Sequence, residues 1–432
     1  MATQPSILEL NDSGLKLLHG QRVLSESPGI ALIADKDLTL GKQAQNRARL
    51  HPLKMHSQFW QRLDTETLNS ANPRCRHQAD LVFEHLKMLK HQHPEMAEVV
   101  LALPAYYNSD QLSLLLGIAQ HCGIQIKGLI DSAVASVSAQ ASRGRHYHID
   151  MHLHQTLVSQ IDVADTVKNT RIEAVPNVGL ASFNEAWAKM IAEQFILQSR
   201  FNPLHDAATE QQVYNQLEEA LTQCQKNGEV ELEFSGKQAS IKLQQFEQCN
   251  TRFFNDIKKQ IGEISGQLFI HERVNTLPGI AAAFPQALSV DSQQLAKNIE
   301  KHHALIHAAP ESLKLISSLP SESNTQSSPA SQNATHLLWQ HRAHPIGQGV
   351  YLSANADQPL SQTTSGNELC RIERSSGQVE ISHLKNGDIL VNGKNATDKQ
   401  QLIAGDEIKV AQLPFPFTAI SVLDNVAVSD GA

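Results

Sequence analysis

Five residues able to do chemistry share one parity in a short run: His146, His148, Asp150, His152 and His154. Alternate residues of a straight strand point to one face, so this run would line a single face with imidazoles and one carboxylate. Such a donor set suits zinc, nickel or copper. A packed hairpin rich in histidine gives the same pattern, and the chain has 21 histidines to distribute. His302, His303 and His307 share a helical face and form a weaker set of the same kind.

Other chemistries find no residues to rest on. Ser13-Gly14 and Gly347-Gln348-Gly349 complete neither a G-x-x-x-x-G-K-[ST] phosphate loop nor a G-x-G-x-x-G fingerprint, and no G-x-S-x-G elbow occurs. Cys75, Cys122, Cys224, Cys249 and Cys370 are odd in number and far apart, as expected of reduced core thiols rather than a disulfide framework or a C-x-x-C site.

The elements that must position any site come from a chain of 432 residues, 41% hydrophobic and 19% charged, enough for two or three domains with sizeable cores. A net charge of -8 supplies no basic field for nucleic acid. No stretch reaches the roughly 18 apolar residues of a membrane span, and MATQPSILELND does not read as a signal peptide, so no membrane partner and a cytoplasmic location are expected. Ser317 to Thr335 is rich in Ser, Asn, Gln and Pro and too polar to repay the entropy of folding. It sets a linker at 313–335 between domains at 1–312 and 336–428.

In the first domain, strand-like runs (Ser6 to Leu10, Val99 to Leu103, Leu129 to Ile130) alternate with helical patterns (Asp110 to Cys122, Phe183 to Gln198), which predicts an α/β fold. No internal repeat is visible. In the last domain, Ser376-Gly377, Asn386-Gly387, Asn392-Gly393 and Ala404-Gly405 punctuate short strands, the pattern of an all-β sandwich. There Val379, Ile381, Ile389 and Val391 would face inward, and at least one phenylalanine of Leu413 to Phe417 would close the core.

The run VVLALPAYYNSDQLSLLLGIAQHCGI, Val99 to Ile124, resembles the segment of DnaK-type heat-shock chaperones in which a buried strand ends in V-P-A-Y-F-N and enters a helix. Pro104 closes the strand, and Asn108-Ser109-Asp110 offers cap oxygens. The similarity continues in family order through SPGIALI, FNEAWAKMIAEQF and VELEFSGKQASIKLQQFEQCNTRFF, and covers most of residues 1 to about 312. It implies a two-lobed, actin-like (ribonuclease H-like) fold with ATP and Mg2+ held between two glycine-rich hairpins, where only glycine lets backbone N–H groups approach the phosphates.

At those hairpins the chain departs from the family. Glu9 takes the place of an Asp, and Asn11, Asp12 and Ser13 that of a G-T-T-like turn. The second hairpin, F-D-L-G-G-G-T-F-D-V-S in the family, keeps Asp150 but has His152, Leu153 and His154 for its glycines. The alignment also bends the chain there, which breaks the single histidine face and favours the packed-hairpin reading, with no metal held. Gln61 stands where the resemblance implies the catalytic Lys, and Asp131 where it implies a water-positioning Glu. Pro278 survives at the adenosine motif, where Glu272 and Arg273 replace a glycine pair. If ATP still bound, Asn11, Asp12, Ser13, Asp150 and Pro278 would contact it.

Leu369 to Val410 resembles the second half of forkhead-associated domains. Gln348 stands where these carry the phosphate-binding Arg, Gly366-Asn367-Glu368-Leu369 replaces S-x-x-H, and Asn386 keeps the peptide-contacting position. Loss of phosphopeptide binding is the expectation, with protein contacts instead near His383, Asn386 and Leu413 to Phe417. The preferred reading of the whole is a pseudo-ATPase scaffold that binds protein. The alternative is an ATP-binding, chaperone-like protein with weak or altered ATPase activity.

Overall fold

The computed structural model describes residues 6–34, 37–68, 73–307 and 313–321, then 334–340, 342–347, 349–355, 359–375, 378–385, 389–403, 405–410 and 413–420. The chain divides into two compact units, Met1–Gln326 and Ser327–Ala432. Among the described residues no helix is long and apolar enough to cross a membrane.

The first unit is mixed α/β and carries two six-stranded sheets that share the topology of five strands, the sixth lying at opposite edges of the two. In the first sheet, Ser6–Glu9, Leu15–His19 and Arg22–Ser27 form an antiparallel meander. Glu98–Leu103 then joins parallel to Ser6–Glu9, and Gln125–Asp131 joins parallel to Glu98–Leu103. The second sheet repeats this: Gly144–Met151, Gln155–Val163 and Thr166–Pro176 form the meander, Leu268–His271 adds parallel to its first strand, and Leu288–Val290 follows. The arrangement is duplicated although no repeat can be read in the residues. It also makes the turn at residues 10–14 equivalent to the turn at 152–154.

The sequence explains the local pieces. Glu98–Leu103 is buried at every position but its first, as an unbroken apolar run requires of a strand covered on both faces. The helix Ser109–His121 starts where Asn108 accepts the N–H of Gln111, and Gln111 returns a bond to the Asn108 N–H. Between the sheets lies one core that joins Ile7, Val100 and Ile130 of the first to Ile161, Val167 and Phe269 of the second.

The stretch assigned to a linker begins inside this unit. Leu315–Ile316 pairs parallel with Leu129 and Ile130 of the first sheet, and Ser318–Pro320 pairs with Thr166–Lys168 of the second. Leu319 is buried in the core between them, and Leu313, Leu315 and Ile316 pack against the cores on either side, so these apolar residues seat the segment. The remainder, 322–333, lies outside the described residues.

The second unit is all antiparallel, with a six-stranded and a five-stranded sheet around one core. Val379, Ile381, Ile389 and Val391 all point into it. Asn392 and Gly393 take left-handed φ values of 48° and 77°, the pair of positive angles that a two-residue hairpin turn needs, between Ile389–Val391 and Lys394–Asn395. Ala334 is fully buried here and the Thr335 N–H donates to Ile420, so the unit begins slightly before residue 336. Phe417 stacks on Trp339 in the core, while Phe415 is exposed.

Two outcomes are expected. A fragment of residues 327–432 will give dispersed amide NMR spectra and a β-type circular dichroism signal; an unfolded spectrum would show that its core needs the first unit. Within the first unit, His85 is buried between Trp60, whose indole N–H donates to Nδ1 at 3.1 Å, and Ser27, 2.8 Å from Nε2. Indole can only donate, so the proton sits on Nε2 and the ring is neutral. Burial agrees, pushing its pKa down to about 4. His85→Leu strands both partners and will cost about 2–5 kcal/mol in urea unfolding, read from the midpoint at constant slope.

Candidate functional site

The two equivalent turns meet, and the side chains of Asn11, Asp12 and Ser13 on the first reach residues 150–153 on the second. Asp12 leaves the first turn and its Oδ1 accepts the Leu153 N–H at 2.8 Å, with His152 Nδ1 at 3.1 Å. Asn11 donates through Nδ2 to Asp150 at 2.9 Å and to the Met151 carbonyl at 3.1 Å, while its own oxygen accepts the Ser13 N–H. His154 approaches Ser57 at 2.9 Å, and Gln61 donates to Gln155 at 2.9 Å. Leu153 is buried and packs in a small cluster with Ile30, Leu32 and Ala44. Each of the three residues at 152–154 therefore holds the opposite half of the unit.

The helix Leu180–Ser199 seals the second turn from behind. Its leading N–H groups, those of Leu180 and Ala181, donate to the carbonyls of His152 and Leu153 at 3.0 and 2.9 Å. Gly179 permits this approach, since a Cβ there would lie 2.4 Å from the Gln155 nitrogen and 2.6 Å from the Leu153 oxygen.

A second set of contacts comes from the strand Leu268–His271 and the short helix after it. Arg273 donates to Glu9 at 2.7 Å and to the Gly14 carbonyl at 2.6 Å. His271 lies 3.3 Å from Glu9 and 3.7 Å from Asp150. Lys16 pairs with Glu272, which also accepts from Ser292. Burial alone would raise the Glu9 carboxyl, but Arg273 and the His271 ring outweigh it and hold the group well below its usual range. Asp150 is lowered in the same way by His271, His152 and Arg273 against its own desolvation. For His152, burial disfavours the charged ring, yet the hydrogen bond and charge of Asp12, with Asp150 beyond, raise its pKa. Tyr106, from the segment after Glu98–Leu103, sets its ring edge-on to His152 at 6.2 Å.

Glu9, Asn11, Asp12 and His152 are at most 4% exposed. Glu9 Oε2, Asp150 Oδ1 and the Nε2 atoms of His148, His152 and His271 are buried without a hydrogen-bond partner in the protein, so the network is dense but incompletely satisfied. Among the described residues, no set of His, Cys, Asp and Glu is arranged to hold a metal ion. The four histidines of the parity run have separate surroundings. His146 accepts the Gln267 N–H on Nδ1 and bonds the Ser142 carbonyl through Nε2, His148 lies edge-on to His271, His152 is on Asp12 and His154 on Ser57.

Of the residues singled out from sequence, Glu9, Asn11, Asp12, Ser13 and Asp150 come together, and Gln61 lies beside them through Gln155. Asp131 has other partners. It caps the helix Ser132–Val137 through Ala133 and accepts from Asn169 at 2.7 Å, with burial pushing its pKa up to about 6. Pro278 lies in the core of the second half, its carbonyl bonded by the buried Asn250. Gln348 and Asn386 lie outside the described residues. Sequence reasoning missed Lys16 and His271. It took Glu272 and Arg273 only as replacements for a glycine pair, whereas both are charge partners; the signal was their sign opposite Lys16 and Glu9.

The pH dependence of this joint follows from the raised pKa of His152. Its stabilisation is fully present below the ordinary histidine value of 6.5 and is lost as pH rises through the folded value. The stability gap between wild type and His152→Gln will therefore narrow on the alkaline side in urea unfolding at stepped pH. A gap that stays flat or widens would show that no imidazolium pairs with Asp12. No protein-family model matches the chain, and no curated protein matches it.

Proposed function

We propose that the first unit is a degenerate actin-like domain related to DnaK-type chaperones, that it has given up nucleotide turnover, and that it serves as a protein-binding scaffold. The duplicated sheet topology with two equivalent turns facing each other supports the fold assignment. One observation carries the functional reading: the Asp12 carboxylate takes the Leu153 N–H and the His152 ring. Under the resemblance these groups line the phosphate position, so the protein supplies its own anion to the donors a nucleotide would use.

The residues do not fit a magnesium nucleotide. Glu9 is committed to Arg273, Asp150 accepts from Asn11, and the N–H groups opening the helix Leu180–Ser199 are spent on hairpin carbonyls. Gln61 brings no cation to a transferring phosphoryl group. In the second unit, read as forkhead-associated-like, the turn aligned with the phosphate contact is filled in the same way. The Glu368 carboxylate accepts from the Ser365 hydroxyl at 2.8 Å and the Gly366 N–H at 2.9 Å. This supports protein contact without phosphopeptide selectivity.

ATP with Mg2+ is expected to leave the melting temperature unchanged at millimolar nucleotide, because a ligand that binds only the folded state must raise it. Steady-state hydrolysis will stay at background. A concentration-dependent rise in melting temperature, abolished by Asp150→Ala, would instead establish the alternative of an ATP-binding chaperone-like protein.

A further inference from the structure

The whole-chain charge hides a local excess of the opposite sign. Between Leu40 and Leu63 the sequence has Lys42, Arg47, Arg49, Lys54 and Arg62 and no acidic residue, within a chain of net charge -8. Successive turns build the centre of this segment, with N–H bonds from Arg47 to Ala44, Leu50 to Arg47 and Lys54 to His51. On them Leu53 is 94% exposed, Leu50 is 41% exposed, and Arg47, whose carbonyl accepts the Leu50 N–H, is exposed as well.

The backbone beneath these side chains is pinned. Ala44 is buried in the cluster with Leu32 and Leu153. The Gln211 side chain, itself 4% exposed on the helix Ala207–Asn227, accepts the Arg49 N–H at 2.7 Å and donates to the Gln45 carbonyl at 3.2 Å. Arg49 lies 3.7 Å over the Tyr214 ring and 3.6 Å from Glu210, and Lys42 pairs with Glu218 at 3.2 Å. Arg47 and Arg62 are both exposed, so the segment presents guanidinium groups to solvent. Leu50 and Leu53 are thus presented on a held framework, which lowers the ordering cost of a partner that covers them.

We propose that this basic, leucine-bearing projection is a docking surface for an acidic amphipathic segment of a protein partner, whose apolar side chains cover Leu50 and Leu53 while its carboxylates meet Arg47. The proposal rests on the scaffold reading and names the surface and partner chemistry for it. Charge complementarity selects an acidic partner, and the two exposed leucines select one that also offers an apolar face.

The test uses the full chain and a fluorescein-labelled helical peptide with leucines at i, i+3 and i+4 flanked by glutamates. A twin carries lysine for every glutamate, and the other arms are phosphatidylserine–phosphatidylcholine vesicles and a single-stranded DNA oligonucleotide. The acidic peptide will bind saturably and more weakly as salt rises, and both Leu53→Asp and Arg47→Glu will weaken it by about tenfold or more. Melting temperatures of these variants will match wild type, because the altered side chains are exposed. Absence of saturable binding, equal binding by Leu53→Asp, or tighter binding of the lysine twin, the vesicles or the DNA would overturn the proposal. The ATP melting shift, read on the same samples, separates the two ideas: a shift sinks the scaffold reading and leaves the docking surface standing, whereas loss of peptide binding without a shift sinks the docking surface alone.

Discussion

The carboxylate of Asp12 is the contact on which the meeting of the two sheets turns. A buried carboxylate survives away from water only when its oxygens are paired. Here the pairing groups, the Leu153 N–H and the His152 ring, belong to the other sheet. The desolvation cost of Asp12 is therefore offset only while the two turns touch. The same dependence holds for Glu9, whose partners Arg273 and His271 also lie across the gap. Opening the joint would leave charges on both sides in a half-dry crevice.

Such a network is not an economical way to gain stability, since buried ion pairs roughly break even against apolar packing of similar volume. The unsatisfied Nε2 atom of His148 adds to that cost. What the network provides is register. A guanidinium that must reach both Glu9 and the Gly14 carbonyl tolerates one placement of the strand Leu268–His271 against the first turn, where an apolar contact would tolerate several. Leu153, seated among Ile30, Leu32 and Ala44, shows the complementary device at the same tip, with packing beside pairing.

Much of the fold was legible locally. The apolar run at Val99 to Leu103, the Asn108 cap and the Asn392-Gly393 turn each carry their cause within a few residues, and each forms as expected. The duplication was not legible, because a sheet topology is conserved by burial pattern and connection, and unrelated apolar side chains satisfy both. At the site, the turn residues could be picked out by comparison with a family, but their partners could not. Arg273 and Glu9 are 264 positions apart, and nothing in the neighbourhood of either names the other. The histidine parity run carried its own limit. Period-two spacing predicts a shared face only while the strand stays straight, and the chain turns at His152.

The segment from Leu315 to Pro320 completes an edge of each sheet in the first unit before the chain passes on to the second. Polar composition would class it as dispensable tether. Its removal, by a protease or by a truncation placed at residue 312, would bare the outer backbone at Leu129–Ile130 and Thr166–Asn169 together. Unpaired strand edges template pairing with other chains. A cut meant to release two well-behaved pieces would make the larger one prone to self-association, and the short stretch is in this sense the guard of its solubility.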